Sequence, residues 1–298
     1  MSSQETRYCY RHPDRETGLS CSECGRPICA DCANFGPVGI RCPDHATASG
    51  RRGPATRIRP RPVRRAPGVA LSSGIAPITT ALVAINVAIY LIGASQGGSL
   101  GTAGDSIYQS GSVYRHAVLF GPWVAHGGWY RLVTAMFLHQ NLIHIGFNMF
   151  ALWAIGRPME QYLGTARYIG LYFVSGLAGS AGGLLQAPHT PVLGASGAIF
   201  GILGAMVVLE HQITNRLGGQ AMGLVAINLV ISFVIPGISW GGHVGGLIGG
   251  VLVMLAYAHW HDHGRAQYGQ LGLGGVTGLV VVAAASVAIA YWRVRGYA

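Results

Sequence analysis

From residue 75 to residue 298 the chain is a succession of long apolar runs separated by short polar breaks. A helix needs about 20 apolar residues to cross a bilayer. The runs predict seven such spans, at 75–93, 141–160, 167–186, 194–211, 219–237, 240–258 and 273–292. The second is preceded by a long loop, 94–140, whose second half is apolar and aromatic. The pattern changes abruptly upstream. Residues 51–74 are rich in Arg and Pro, and residues 1–50 are polar and hold all the cysteines. Three zones follow: a head at 1–50, a linker at 51–74 and a body at 75–298. The body reads as an all-α polytopic membrane protein.

Composition agrees. Half of the 298 residues are hydrophobic and only 10% are charged, too apolar for an ordinary soluble domain. The linker carries Arg51, Arg52, Arg57, Arg59, Arg61, Arg64 and Arg65 among several prolines. Like charge and Pro predict an extended tether. Arg beside a first span also holds that side in the cytoplasm and attracts anionic headgroups. The 94–140 loop, the 187–193 turn and the 238–239 turn then lie outside. Arg157, Arg167, Arg216 and Arg265 fall on the inner side, whereas Arg293 and Arg295 fall outside, a mild violation outvoted by the linker. A nucleic-acid-binding tail need not be invoked.

The head contains no apolar signal region and is expected to stay on the reducing side where the chain is made. Clustered Cys there favour metal over disulfides. Cys9/His12, Cys21/Cys24, Cys29/Cys32 and Cys42/His45 are four pairs, each with two residues between its members. Such a knuckle supplies two of zinc's four tetrahedral ligands. Pairs two and three are close in sequence, which favours a cross-brace: Cys9, His12, Cys29 and Cys32 for one zinc, Cys21, Cys24, Cys42 and His45 for the other. So small a segment would draw its folding free energy from the metal. It resembles a B-box-type zinc finger, a class that mostly mediates protein contacts, which implies a cytoplasmic protein partner.

Polar side chains inside spans are costly and therefore point to function. Ser196 lies near the start of span four, and His243 near the start of span six. His144 and Asn148 share one face near the start of span two. All three spans run from outside to inside, so the four side chains share a depth in the outer half of the membrane. Ser is a weak nucleophile until a base such as His takes its proton. Acyl transfer also needs donors at the oxyanion, a role open to His144, Asn148 and the Ser196 backbone N–H. No Asp or Glu lies at that depth, so the arrangement is a dyad. Gly242, Gly246 and Gly250 would let spans four and six approach closely. His139 is an accessory candidate, bracing the loop. Glu160 is expected to anchor the inner end of span two, and Asn228 to bond a neighbouring helix. His259, His261 and His263 read as a solvated loop. The soluble-hydrolase elbow would need Gly at Ala198, and the His-Glu-x-x-His of metalloproteases is absent.

Trp129-Tyr130-Arg131, His139-x4-His144-x3-Asn148, Glu160, Gly194-x-Ser196-Gly197 and Gly242-His243-x2-Gly246-x3-Gly250 together resemble the rhomboid family of intramembrane serine proteases. The resemblance implies a six-helix core, here with one additional C-terminal helix, and Ser196 and His243 as a catalytic dyad needing no cofactor. It implies His144 and Asn148 at the oxyanion hole, a 94–140 loop dipping sideways into the membrane, and span five as a lateral gate. It also implies transmembrane protein substrates with a small P1 side chain. Two departures are visible: Tyr130 splits the family's Trp-Arg pair, and Gly242 replaces a frequent Ala. The rival expectation is an inactive rhomboid-like protein that binds transmembrane clients. A transporter would show two similar halves, and no such repeat is present.

Overall fold

The structure is a computed structural model that describes residues 7–36, 39–45, 76–97, 99–108, 110–216, 218–260, 266–267 and 272–297. The linker 51–74, His261, His263 and Arg265 lie outside the described residues. The chain divides into two compact units, Met1–Arg64 and Arg65–Ala298.

The first unit is built from two hairpins. β1 (Tyr8–Cys9) pairs antiparallel with β2 (His12–Glu16), and β3 (Asn34–Gly36) pairs with β4 (Gly39–Arg41). A 3-10 turn, Ala30–Cys32, lies between them. Its buried apolar residues are Ile28 and five cysteines, Cys9, Cys21, Cys29, Cys32 and Cys42. One aliphatic side chain is far too little to balance the chain entropy of ordering these strands.

The second unit is helical. In chain order it contains α1 (Pro77–Ser95), the short loop helices α2 (Val113–Ala117), α3 (Gly121–Ala125) and α4 (Arg131–Thr134), then α5 (Leu142–Ala151) and α6 (Arg157–Leu163). There follow α7 (Thr165–Gln186), α8 (Ser196–Thr214), α9 (Gln220–Val234), α10 (Trp240–Tyr257) and α11 (Leu273–Val294). Among the described residues, α1, α7, α8, α10 and the helix beginning at Leu273 are long and apolar enough to cross a membrane. The protein is a multi-pass membrane protein. Its outward faces are apolar, with Phe147 73% and Val234 72% exposed, as lipid contact requires.

Two of the seven expected spans depart from plain helix. The second runs helically from Leu142 to Leu163 but passes through a π-helical turn, Leu152–Gly156, just before Pro158. Proline lacks the N–H that would bond four residues back, and the wider turn absorbs that defect. The fifth, expected at 219–237, is only the 15-residue α9. That is about 22 Å at 1.5 Å per residue, short of a hydrocarbon core of about 30 Å. It stops because Ile235 precedes Pro236 and is held extended, with φ −88° and ψ 117°.

The core depends on glycine. α7 lies centrally and packs on α8, α10 and α11. A Cβ on Gly246 would strike the Gly197 carbonyl, and one on Gly250 the Gly201 carbonyl. A Cβ on Gly182 would likewise meet the Gly241 carbonyl. Backbones touch where side chains would otherwise hold α8, α10 and α7 apart. α11 rests on α7 and α10, and its buried Ala290 and Val294 pack with Leu119, Val124 and Leu132 of the loop. The extra helix therefore supports the loop from the side.

That loop is ordered by Arg131, which is buried and donates from Nη1 to the carbonyls of Arg115 (2.8 Å) and Val118 (3.0 Å). Its guanidinium lies over the Trp123 ring. The inserted Tyr130 leaves this intact: Trp129 faces Tyr291 of α11, while Arg131 turns inward. At the other end of the unit, the buried Glu160 accepts from the Ile78 and Thr79 amides and the Thr79 hydroxyl, at 2.8–2.9 Å. Glu160 thus anchors α6 to the first turn of α1, whose N–H groups have no intrahelical partner. Glu210 does the same for α9 through the amides of Gln220 and Ala221, both at 2.9 Å. Glu160→Ala strands three donors. It should cost about 2–4 kcal/mol, read as a lowered thermal unfolding temperature in detergent; an unchanged temperature would remove this anchor.

Candidate active site

Ser196 is the first residue of α8, and its place is set by the turn before it. Gly194 has φ +126°, a conformation that L side chains rarely adopt, and its N–H donates to the Ala135 carbonyl at 3.0 Å. Upstream, Val192 and Leu119 exchange a pair of backbone hydrogen bonds, at 2.8 and 3.1 Å, so the loop fixes the approach to the serine. His243 sits in the first turn of α10. Ser239 caps that helix by accepting from the Gly242 N–H at 3.2 Å, and Gln186 of α7 accepts from the Gly241 N–H at 2.7 Å.

The glycine contacts bring the two side chains together: His243 Nε2 lies 2.8 Å from Ser196 Oγ, with His243 buried. The imidazole is stacked on Phe200, ring centroids 4.1 Å apart and 15° from parallel. Phe200 stands one turn beyond Ser196 and was not singled out from the sequence; its spacing of four was the available signal. On its other edge, His243 Nδ1 lies 2.5 Å from the hydroxyl of Ser232 in α9. Ser232 also escaped notice in the sequence, although it follows Asn228 by one turn. Asn228 was expected to bond a neighbouring helix; its amide instead donates to the Leu224 carbonyl of its own helix at 2.8 Å. A short polar side chain satisfies itself this way when lipid offers nothing else.

His144 and Asn148 lie on α5. Asn141 caps this helix, accepting from the His144 N–H at 2.9 Å. A Cβ on Gly194 would sit 2.8 Å from His144 Nε2, so the imidazole lies directly against the turn before Ser196. Asn148 donates one amide hydrogen to the His144 carbonyl at 2.9 Å and keeps a second. His139 is hydrogen-bonded to neither Ser196 nor His243. It is fully buried, and its ring meets the His144 ring edge-on, centroids 5.0 Å apart. Its backbone N–H and carbonyl are both bonded to the hydroxyl of Tyr114, at 3.1 and 2.9 Å. It thus packs against His144 and ties the segment before α5 to α2.

In the first unit the eight Cys and His side chains form two groups, Cys9/His12/Cys29/Cys32 and Cys21/Cys24/Cys42/His45, with ligand atoms within 4.8 Å of one another. His12 Nδ1 lies 3.4 Å from both Cys29 and Cys32 Sγ, and Cys42 Sγ lies 3.8 Å from Cys24 Sγ and 3.1 Å from His45 Nδ1. Tetrahedral zinc, with bonds of about 2.3 Å to S and about 2.0 Å to N, separates its ligands by about 3.5–3.8 Å. Both groups could hold such an ion. Burial pushes the Cys9 thiol up, but the Cys29 and Arg11 amides and the His12 ring outweigh it and bring it down to about 6. Burial and its sulfur neighbours instead push Cys32 up to about 11. Crowded thiols resist joint ionisation unless a cation sits among them.

Residues 126–260 match the family model described as a rhomboid domain. The chain is 34% identical over 135 residues to the putative rhomboid protease YdcA of Bacillus subtilis, covering 44% of this chain and 68% of that protein. The chain belongs to the rhomboid family. It is also 30% identical over 197 residues to the rhomboid protease GluP of Bacillus subtilis, covering 65% of this chain and 37% of the relative. A third similarity, 34% over 154 residues, is to the mitochondrial RHOMBOID-like protein 6 of Arabidopsis thaliana, with coverage of 47% and 49%. The rhomboid match includes Arg131, His144, Asn148, Ser196 and His243, and ends before α11. The rhomboid turn at Gly194 makes a direct test of the packing. Gly194→Ala would meet both the positive φ and His144, and should cost about 1–3 kcal/mol. An unaltered thermal unfolding temperature would mean that the turn is not what seats His144.

Proposed function

We propose that this protein is an intramembrane serine endopeptidase that cleaves membrane proteins in or beside a transmembrane segment. The observation that carries the reading is the partly buried 2.8 Å contact between Ser196 Oγ and His243 Nε2. Ser196 attacks the scissile carbonyl carbon while His243 Nε2 takes its proton. The oxyanion is met by the Ser196 backbone N–H, the free amide hydrogen of Asn148 and the His144 ring, which lies against the same turn. His243 then returns the proton to the leaving amine. Water attacks the acyl-enzyme through the same base and releases the second product. A substrate helix must unwind to present its carbonyl, so helix-weakening residues with a small P1 side chain suit the site. The Arg-rich linker supports a cytoplasmic head and an active site opening toward the outer face.

The two Cys/His groups are read as structural zinc sites. Each offers four protein ligands and no open position, so bound zinc would fold the head and supply no reaction chemistry. The folded head is then free to recruit a cytoplasmic protein.

Proteoliposomes carrying a generic transmembrane substrate test the dyad. Wild type should cleave it, and Ser196→Ala and His243→Ala should each lose about 10^4-fold or more in rate. Equal rates in all three would sink the dyad. A wild type that binds the substrate without cleaving it would favour the client-binding alternative. Metal analysis of the purified chain should return two zinc per chain, falling to about one in Cys21→Ser; a zinc-free wild type would remove the finger.

A further inference from the structure

Among the described residues His243 has no carboxylate partner. The body's acidic residues are Asp105, Glu160, Glu210 and Asp262. Glu160 and Glu210 are engaged at helix starts, and Asp105 is exposed in the loop. Something else must decide which ring nitrogen carries the hydrogen, because a base that already holds it on Nε2 cannot accept one from Ser196.

We infer that Ser232 is the positioning residue that fixes His243 in its basic tautomer. Its Oγ is buried, 2.5 Å from His243 Nδ1 and 2.6 Å from the carbonyl of Asn228 one turn back. A hydroxyl has one hydrogen and two lone pairs. Given to the Asn228 carbonyl, that hydrogen leaves Oγ able only to accept, so Nδ1 must donate. Nε2 is then bare and accepts from the Ser196 hydroxyl. The chain Ser196–His243–Ser232–Asn228 carbonyl then contains three hydrogen bonds, all running one way. The opposite tautomer uses the Ser232 hydrogen on Nδ1, strips the Asn228 carbonyl of its second partner and keeps only two. In a buried site that lost bond disfavours the wrong tautomer. When His243 takes the proton from Ser196, the Nδ1–H bond becomes charge-assisted and strengthens. Ser232 thus stands where a triad would have its carboxylate, as a neutral acceptor backed by a helix carbonyl.

The inference rests on Ser196 and His243 being nucleophile and base, and its test separates the two. Ser232→Val and Ser232→Thr have nearly the same shape, and only Thr keeps a hydroxyl able to bond the carbonyl one turn back. In proteoliposomes with a transmembrane substrate, Ser232→Val should lower kcat about tenfold to a hundredfold with KM unchanged. Ser232→Thr should recover most of that loss, and both variants should match wild type in thermal unfolding. The rate at which a fluorophosphonate labels Ser196 should fall and recover in parallel, since it needs the base but not the substrate. A Val variant as fast as wild type, a loss carried by KM alone, or no recovery with Thr would overturn the role of Ser232. A wild type that neither cleaves nor is labelled would overturn the proteolytic reading itself.

Discussion

Backbone-to-backbone contact at glycine is the constraint on which the rest of this molecule depends. Helices whose axes are held apart by ordinary side chains cannot bring a serine on one and a histidine on another into a single hydrogen bond near their first turns. Here Gly246 and Gly250 of α10 lie on the carbonyls of Gly197 and Gly201 of α8, with Gly182 of α7 closing the third side. The polar pair is therefore a consequence of packing by the least polar means available. Lipid gives no hydrophobic push between helices, so close fit and few well-placed hydrogen bonds must hold the bundle. The long aromatic loop is part of that fit, pinned by Arg131 within and by α11 from the side.

The polar groups divide the bundle into two ends. At one end two carboxylates, Glu160 and Glu210, each hold the start of a helix. A carboxylate facing unpaired N–H groups is the arrangement in which a buried charge costs least. At the other end Ser196, His243, His144 and Asn148 gather without any carboxylate among the described residues. Anchoring at helix starts at the first end and polar side chains without a carboxylate at the second are both answers to the expense of charge away from water.

Much of this was legible in the sequence because the membrane simplifies the code. Apolar runs marked the spans, and polar residues within them marked Ser196, His243, His144 and Asn148, which the glycine spacing then brings together. Glu160 was legible as an anchor, though not its partner, since the amides of Ile78 and Thr79 carry no sequence signal. The central place of α7 was missed for a similar reason: its Gly179 and Gly182 are an ordinary feature of apolar helices until the neighbours they touch are known. Pro158 and Pro236 were visible, but their effects were not read. One widens a helix that was expected to be regular, and the other ends α9 early. Asn228 misled because a lone amide in a span suggests a partner helix, whereas the nearest unused carbonyl was in its own.

The shortness of α9 bears directly on the proposed chemistry. Pro236 leaves it too short to be gripped at both faces of a bilayer, and most of its surface is turned outward. Yet this short helix, anchored by Glu210 at its start, carries Ser232, the partner of His243 Nδ1. If span five is the gate through which a substrate helix enters, the movement that admits substrate also pulls the acceptor away from the base. The histidine would then be free to take either tautomer, and the dyad would regain its competent form only as α9 returns against the bound segment. Opening and chemistry would exclude one another, which protects an exposed serine from water and chance lipids while the gate stands open. A carboxylate in the same place would bind the imidazolium more strongly, but on a helix that moves it would have to be drawn repeatedly through lipid. A hydroxyl that falls back on its own helix carbonyl carries no such penalty.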